Sequence, residues 1–273
     1  MNVYGRLADF KAQAGGITDR ANDTEWVRLL EVTSRSIDAY LDRKVYARTA
    51  TRYIDGDIRR LMGERLLLPE DLQAITTLKT DANADDTYET TWSASDYYLY
   101  PNDGPPYWAI DVRPSSTKGW TYGRRTVELV GTWGYSLETE STGLTVQNTT
   151  QIDASGTSLT VQSNGAVDIG ATLLIESEQL SVTGRTGDTT LTVSRAYNGT
   201  TAAAHVTGTA ISRYRYPRAI EQACIMQALR WAWEAQSGAQ GSVYMTEANI
   251  GSGRSLYPMI RDILAPFRRV VLA

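Results

Sequence analysis

The chain has 273 residues, of which 42% are hydrophobic and 21% are charged, and its net charge is −4. This charge argues against a general nucleic-acid-binding protein, and one cysteine with one histidine excludes an internal disulfide and the common zinc sites. No apolar run approaches the roughly 20 residues of a membrane span, and no signal-peptide pattern begins the sequence, so we expect a soluble protein made in the cytoplasm.

Two helices are predicted first. "VYGRLADFKAQA" favours a short helix that Gly15 and Gly16 end. "NDTEWVRLLEVTSRSIDAYLDRKVY" then carries apolar residues at helical spacing. Asn22, followed three residues later by Glu25, predicts a capping box at the start of this second helix.

After these helices the pattern changes to short β-branched or aromatic runs separated by Pro, Gly and Asp. The runs are "TATRYIDG", "RLLLPEDLQAITTLKTD", "DYYLYPND", "YWAIDVRP" and "RRTVELVGTWGY". Such runs predict strands joined by tight turns.

Residues 137–212 differ in composition from the rest of the chain. They contain one of the 25 aromatic residues, Tyr197, and no proline or lysine, and their net charge is −5. Apolar and polar residues alternate, with turn signals at Gly187-Asp188 and Asn198-Gly199. We therefore predict an α+β protein in which an all-β module, 137–212, is inserted into a helical and β core formed by 1–136 and 213–273.

The remaining segment is predicted to be helical. Pro217 opens a helix over "RAIEQACIMQALRWAWEAQSG", which Gly238 ends. A final helix presents Leu256, Ile260, Ile263, Leu264 and Phe267 on one face, and Pro266 stops it. Residues 266–273 then form a separate C-terminal tail, in a region of net charge +4.

His205 is the only side chain that ordinarily titrates near neutral pH. Its sequence neighbours are apolar, and the chain has no G-x-S-x-G motif, phosphate-binding glycine loop or H-E-x-x-H motif. We therefore expect His205 to occupy a strand or turn of the insert, with an enzyme that uses His205 as the competing hypothesis. No catalytic residue, cofactor or metal is expected.

Other candidate reactive groups favour structural roles. Asp55 with Asp57, and Asp85 with Asp86, could serve acid–base chemistry or a metal, but they lie in polar stretches where Asp commonly caps its own backbone. Cys224 lies on an apolar helix face, which favours a buried thiol.

Two tryptophans and two arginine pairs are candidates for binding surfaces. Trp231 and Trp233 indicate a core or a subunit interface more than a platform for a base or sugar. The pair at 124–125 starts a predicted strand and is interpreted as solvated edge charge. The pair at 268–269 lies in the tail, whose apolar residues favour docking into a groove on a partner, although a tail folded back on its own domain stays open. The candidate docking residues are Pro266, Phe267, Arg268, Arg269, Val270, Val271 and Leu272.

The order of these segments resembles a known family. "SIDAYLDRKVY", "RLLLPEDLQAITTLKTD", "VELVGTWGYS", "YPRAIEQACIMQALRWAWEAQSG" and "DILAPFRRVVLA" follow one another as in the head-to-tail connector, or adaptor, proteins of long-tailed double-stranded DNA bacteriophages. The resemblance covers about residues 3–136 and 213–273. Its most specific pieces are "GTWGYS" before the proline-started helix and the closing "LAPFRR".

The resemblance implies a structural virion protein, without enzymatic activity, in a ring of about twelve copies beneath the portal protein. Such a ring lies in the neck between capsid and tail and extends the DNA channel, with transient passage of DNA and no sequence-specific binding. The C-terminal segment would dock on the portal, and a neck or tail-terminator protein would lie on the tail side. No membrane partner is implied.

The insert departs from the simplest members of that family. Its "SRAYNGTTAAAHVTG" stretch resembles a β-module found within several phage structural proteins. Two alternatives stay open: a tail-completion or neck protein on the tail side, and a glycan- or host-surface-binding module carried by the insert, for which Tyr197 is the one aromatic platform.

Overall fold

A computed structural model describes residues 1–236 and 256–269. The chain belongs to the α+β class and is dominated by antiparallel β-structure, as the sequence predicts. Its helices are α1 (Leu7–Gln13), α2 (Asp23–Leu41), α3 (Arg218–Gln236) and α4 (Pro258–Leu264), and a 3₁₀ turn, Ala265–Phe267, follows α4. Contacts divide the chain into two units, Arg43–Leu137 and a larger unit of Met1–Asp42 with Glu138–Arg269.

The helix boundaries confirm the prediction at α1 and correct it at α2. Gly15 and Gly16 follow α1 with φ angles of 106° and 74°, values that glycine adopts without steric cost. Asn22 precedes α2 but makes no side-chain cap hydrogen bond, so the predicted capping box is absent. Its ψ of 14° departs from the extended conformation in which a capping side chain reaches the first N–H groups.

Helices α2 and α3 pack closely on each other. The Oγ of Ser34 lies 3.5 Å from the Sγ of Cys224, and the two residues are buried at the centre of the contact. Leu30 and Ile37 are completely buried on α2, as is Ala228 on α3. Small residues on α3 allow this close approach, and burial of the leucine and isoleucine side chains stabilises it.

Residues 43–137 form a seven-stranded antiparallel sheet. Its strands are β1 (Arg48–Gly56), β2 (Leu61–Met62), β3 (Arg65–Thr80), β4 (Thr90–Trp92), β5 (Tyr97–Tyr100), β6 (Tyr107–Val112) and β7 (Gly123–Trp133). The main order is β1-β7-β3-β6-β5, with β2 and β4 also paired to β3. Five of these strands coincide with the five predicted runs. The core contains Trp92 and Trp133 together with leucine, isoleucine and valine side chains.

The predicted insert folds as antiparallel β-structure. We call residues 139–214 the β-module. Its strands are β8 (Thr139–Thr145), β9 (Gln151–Ile152), β10 (Ser158–Thr160), β11 (Thr172–Ile175), β12 (Glu178–Thr186), β13 (Thr190–Ser194), β14 (His205–Val206) and β15 (Ala210–Tyr214). Six strands form one sheet in the order β10-β13-β12-β11-β15-β8, and β9 pairs with β14. The fully buried cluster consists of leucine, isoleucine and valine side chains only.

The helices belong to the same unit as the β-module. The amide Nδ2 of Asn2 donates to Asn198 over 2.9 Å, and a Cβ added at Gly170 would lie 2.8 Å from a methyl group of Val27 on α2. The contacts therefore group the helices with the β-module, whereas the division expected from composition grouped them with residues 43–136.

Candidate functional site

The C-terminal segment starts from a fixed position on the helices. After α4, the 3₁₀ turn places Pro266 at its centre, and Pro266 is exposed. The backbone N–H of Arg269 then donates to the carbonyl of Leu41, at the end of α2, over 2.9 Å. The Tyr40 hydroxyl donates to the carbonyl of Arg261 on α4 over 3.2 Å. Two hydrogen bonds to neighbouring residues of α2 therefore hold α4 and the segment that follows it.

The tail residues have different environments. Phe267 is half-buried and Arg268 is exposed, with its guanidinium carbon 5.9 Å from the centre of the Tyr40 ring. Arg269 is half-buried. Val270, Val271 and Leu272, to which docking was also assigned, lie outside the described residues. Up to Arg269, the segment therefore contacts helices of its own chain, as expected if the tail folds back on its own domain. Pro266 and Arg268 nevertheless face solvent.

The two candidate interface tryptophans on α3 differ in exposure. Trp231 is half-buried, whereas 58% of Trp233 is exposed. An exposed indole contributes little to the stability of one chain, and tryptophan is enriched at protein interfaces. Nearby, the Tyr257 hydroxyl donates to Glu234 over 2.6 Å, and the pKa of Tyr257 is raised by that carboxylate.

His205 lies on β14, as predicted, and is buried between two carboxylates. Its Nδ1 lies 2.8 Å from Glu176 and its Nε2 lies 2.9 Å from Glu178. Glu178 is completely buried, whereas 60% of the Glu176 side chain is exposed. Both ring nitrogens therefore contact carboxylate oxygens of the β-module itself.

Glu178 is the centre of this buried group. Arg195 forms a bidentate pair with it, through contacts of 2.8 and 2.7 Å, and the N–H groups of Ala196 and Ala203 donate over 2.9 and 3.0 Å. Burial alone would raise the pKa of the Glu178 carboxyl, but the hydrogen bonds from Arg195 and the two backbone N–H groups lower it to about 2. The group joins the start of β12, the end of β13 and β14, which is a structural role.

The sequence indicated part of this group. Arg195 and His205 belong to the recognised "RAYNGTTAAAHVTG" stretch, but Glu178 was not identified. The sequence did contain a sign of Glu178, because this glutamate lies within the largely apolar run "LLIESEQLSV". A carboxylate buried in such a run requires a charged or hydrogen-bonding partner. Asn198 and Gly199 both have positive φ, of 51° and 79°, and form the predicted tight turn.

The other candidate reactive groups are engaged in local structure. Asp57 accepts the N–H groups of Arg59 and Arg60, and Asp85 accepts that of Thr87, so both cap turns as predicted. Cys224 is buried as predicted, and burial raises the pKa of its thiol to about 11, which disfavours the reactive thiolate.

One group of carboxylates has the spacing of a cation site. Ligand atoms of Asp81, Asp85 and Glu89 lie within 4.8 Å of one another. Both oxygens of Asp81 already accept backbone N–H groups, from Asn83, Ala84 and Asp86. The arrangement is therefore accounted for by the turn that follows β3.

A surface that the sequence did not identify lies at one end of the first sheet. We call residues 57–64 with 120–125 the exposed tip. It carries Ile58, Met62 and Tyr122, which are the three most exposed large hydrophobic side chains in the described part of the chain. Arg124 and Arg125 are also exposed there, in agreement with their predicted position at a strand start.

No protein-family model matches the chain, and comparison with curated proteins finds no significant match. Among the described helices, none combines the length and the apolar character required to cross a membrane.

Proposed function

We propose that this protein is the head-to-tail adaptor of a long-tailed bacteriophage, a structural protein that forms a ring beneath the portal. The order of segments listed above supports this proposal: helix, turn-rich sheet, "GTWGYS", proline-started helix and "LAPFRR". In the neck of the virion, the ring would continue the DNA channel and join the capsid to the tail. A chain of net charge −4 suits a channel that lets DNA slide, because it offers few excess cations to hold phosphates.

The order of segments is the observation that carries the proposal, and the fixed origin of the C-terminal tail is compatible with the docking role proposed for that tail. The hydrogen bond from Arg269 to Leu41 holds the base of the tail against α2, and the Tyr40 contact holds α4 beside it. A docking segment that leaves from a fixed point loses less conformational entropy on binding than one that leaves from a loose end. The proposed contacts to the portal are charge-assisted bonds from Arg268 and Arg269 and apolar contacts from the neighbouring tail residues.

The exposed indole of Trp233 supports self-association. Large apolar side chains that face solvent in one chain commonly become buried between subunits. In a closed ring each copy makes the same two contacts with its neighbours, so one exposed surface is repeated around the ring.

Electron microscopy of the purified chain, alone and mixed with its portal, tests the proposal. We expect a ring, of about 360 kDa for twelve copies of a 30.1 kDa chain, that binds one end of the portal. A chain that stays monomeric and does not bind the portal at high concentration would contradict the proposal. A sixfold ring that binds tail components would assign the protein to the tail side of the neck instead.

Deletion of residues 266–273 tests the docking role of the tail. We expect portal attachment to weaken by at least about tenfold, while ring formation persists. The double substitution Arg268→Ala/Arg269→Ala is expected to act in the same direction with a smaller effect, because it leaves the apolar contacts in place. The matched control is Arg218→Ala, which removes another exposed arginine, at the start of α3. Unchanged attachment after the deletion would show that another surface docks.

A further inference from the structure

The exposed tip has the composition of a protein interface. Ile58, Tyr122 and Met62 are 81%, 73% and 61% exposed to solvent. Isolated exposed apolar residues are common on proteins, but three at one end of a sheet form a patch. Tyrosine, methionine and arginine are enriched in interfaces, and the tip has all three.

Hydrogen bonds hold the two segments of the tip together. The N–H of Arg125 donates to the carboxylate of Asp55 over 2.8 Å, and the indole N–H of Trp120 donates to the carbonyl of Glu64 over 2.8 Å. Gly56, at the end of β1, pairs with Gly123 at the start of β7. The apolar side chains therefore project from a fixed framework, so docking requires little ordering of the backbone.

The tip is basic. It contains Arg59, Arg60, Arg124 and Arg125 against Asp57 and Glu64, which gives a net charge of +2. A fitting partner surface therefore combines apolar contact area with carboxylates.

The chain itself carries a surface of that kind. On the β-module, Val206, Asp153 and the carboxylate of Glu176 are all exposed. The three belong to adjoining segments, because His205, which precedes Val206, contacts Glu176 and pairs with Ile152, which precedes Asp153. We call these three residues the acidic patch. The segment that contains it, 137–212, has a net charge of −5.

We propose that the exposed tip of one copy docks on the acidic patch of the neighbouring copy. The contact joins two different surfaces, and a contact of this kind generates a ring when the rotation between copies closes. The inference rests on the proposed ring, and it specifies which surfaces meet between subunits. It also gives the buried group a further role, because His205 holds Glu176 in position at the interface.

A photo-crosslinker at the tip tests this contact directly. Benzoylphenylalanine replaces Tyr122 in the full chain, and the products are separated by mass and located by peptide mass spectrometry. We expect covalent dimers and larger species whose crosslinked peptides lie in residues 139–214 of a second copy. Crosslinks to another part of the second copy, to the portal, or to added double-stranded DNA alone would overturn the inference.

This experiment separates the inference from the proposed function. Closed rings without a crosslink from position 122 to the β-module would leave the adaptor standing and refute the tip contact. Crosslinked chains that never close into rings would support the tip contact and contradict the adaptor. A monomer without crosslinks would contradict both.

Substitutions provide a second measurement. Ile58→Asp and Tyr122→Asp place a carboxylate at exposed positions, so folding is expected to be unaffected. Each is expected to raise the dissociation constant for self-association by at least about tenfold, measured by sedimentation. The matched control is Leu137→Asp, which also replaces an exposed apolar residue by aspartate but lies outside the tip. Equal association of all three variants would overturn the inference.

Discussion

Residues 43–137 and the β-module are both antiparallel β-structures, but they are stabilised by different side chains. The first sheet buries Trp92 and Trp133, and the indole N–H of Trp133 donates to the carbonyl of Ala50 over 2.9 Å. The β-module buries only aliphatic side chains in its core and places the pair of Glu178 and Arg195 beside them. A tryptophan side chain fills core volume and also donates a hydrogen bond, whereas an aliphatic side chain only fills volume. In the β-module the hydrogen bonds that hold the loops therefore come from a separate polar group.

The difference explains why the scarcity of aromatic residues in 137–212 is compatible with an ordered fold. In the β-module, Arg195 donates to the carbonyl of Gly156 over 3.0 Å as well as to Glu178. One buried ion pair therefore fixes several loop segments. In the first sheet, charged pairs such as Arg65 with Asp111 are partly exposed, so they contribute less.

The largest expected effect follows from removal of Glu178. Glu178→Ala leaves the buried guanidinium of Arg195 without its carboxylate, and His205 keeps only its contact with Glu176. Breaking a buried pair in this way costs about 3–5 kcal/mol of unfolding free energy. Hydrogen exchange read on peptides of β12 to β14 measures the loss, and peptides of the first sheet serve as an internal reference.

Glu176→Ala is the matched control for that experiment. Its carboxylate contacts the same histidine, but it is mostly exposed, so we expect a loss of no more than about 1 kcal/mol. If the two variants were equally destabilised, the contrast between a buried and an exposed carboxylate would be wrong.

Acid is expected to act on the same group with a smaller effect. The pKa of Glu178 is lowered from 4.5 to about 2 in the folded protein, so its contribution to stability is complete above pH 4.5. As the pH falls from 4.5 towards 2, the unfolded chain takes up the proton first, and the contribution is lost. Hydrogen exchange corrected for intrinsic rates should show the β-module losing protection over this range.

The first sheet provides the comparison for the acid experiment. The pKa of Asp96 is held well below its usual range by the hydrogen bond from Lys118 and by the N–H of Ser93, near the surface. Solvent screens the interactions of a carboxylate near the surface, so we expect a weaker acid response there than in the β-module. Loss of protection in both regions over the same pH range and by the same amount would contradict the assignment to Glu178.

Periodicity and composition predicted most of the local structure, but not the contacts between distant residues. The alternation in "TLLIESEQLSV" and the break at Gly187 predict β11, β12 and the hairpin to β13. Glu178 and His205 are 27 positions apart in the sequence, and no local pattern specifies their contact. The same applies to the exposed tip, whose two segments are separated by most of the first sheet.

The C-terminal tail shows a further limit. Its composition predicts a surface for docking, and the exposed Arg268 agrees with that interpretation, but the hydrogen bond of Arg269 to Leu41 depends on how α4 packs on α2. Local sequence specifies which residues are apolar or charged. Packing between helices decides where such a segment begins to leave the surface.

The smallest expected effect concerns the aromatic core of the first sheet. Trp92 stacks on Trp120 at a ring distance of 4.5 Å, and its indole N–H donates to the hydroxyl of Thr80 over 3.0 Å. Trp92→Phe keeps an aromatic ring but removes this donor and part of the volume, so we expect a loss of about 1–3 kcal/mol, measured by hydrogen exchange of β3 and β4. Tyr122→Phe, an exposed aromatic change in the same unit, should stay within about 0.5 kcal/mol. Destabilisation that appeared in the β-module rather than in β3 and β4 would show that the aromatic core does not act within its own sheet.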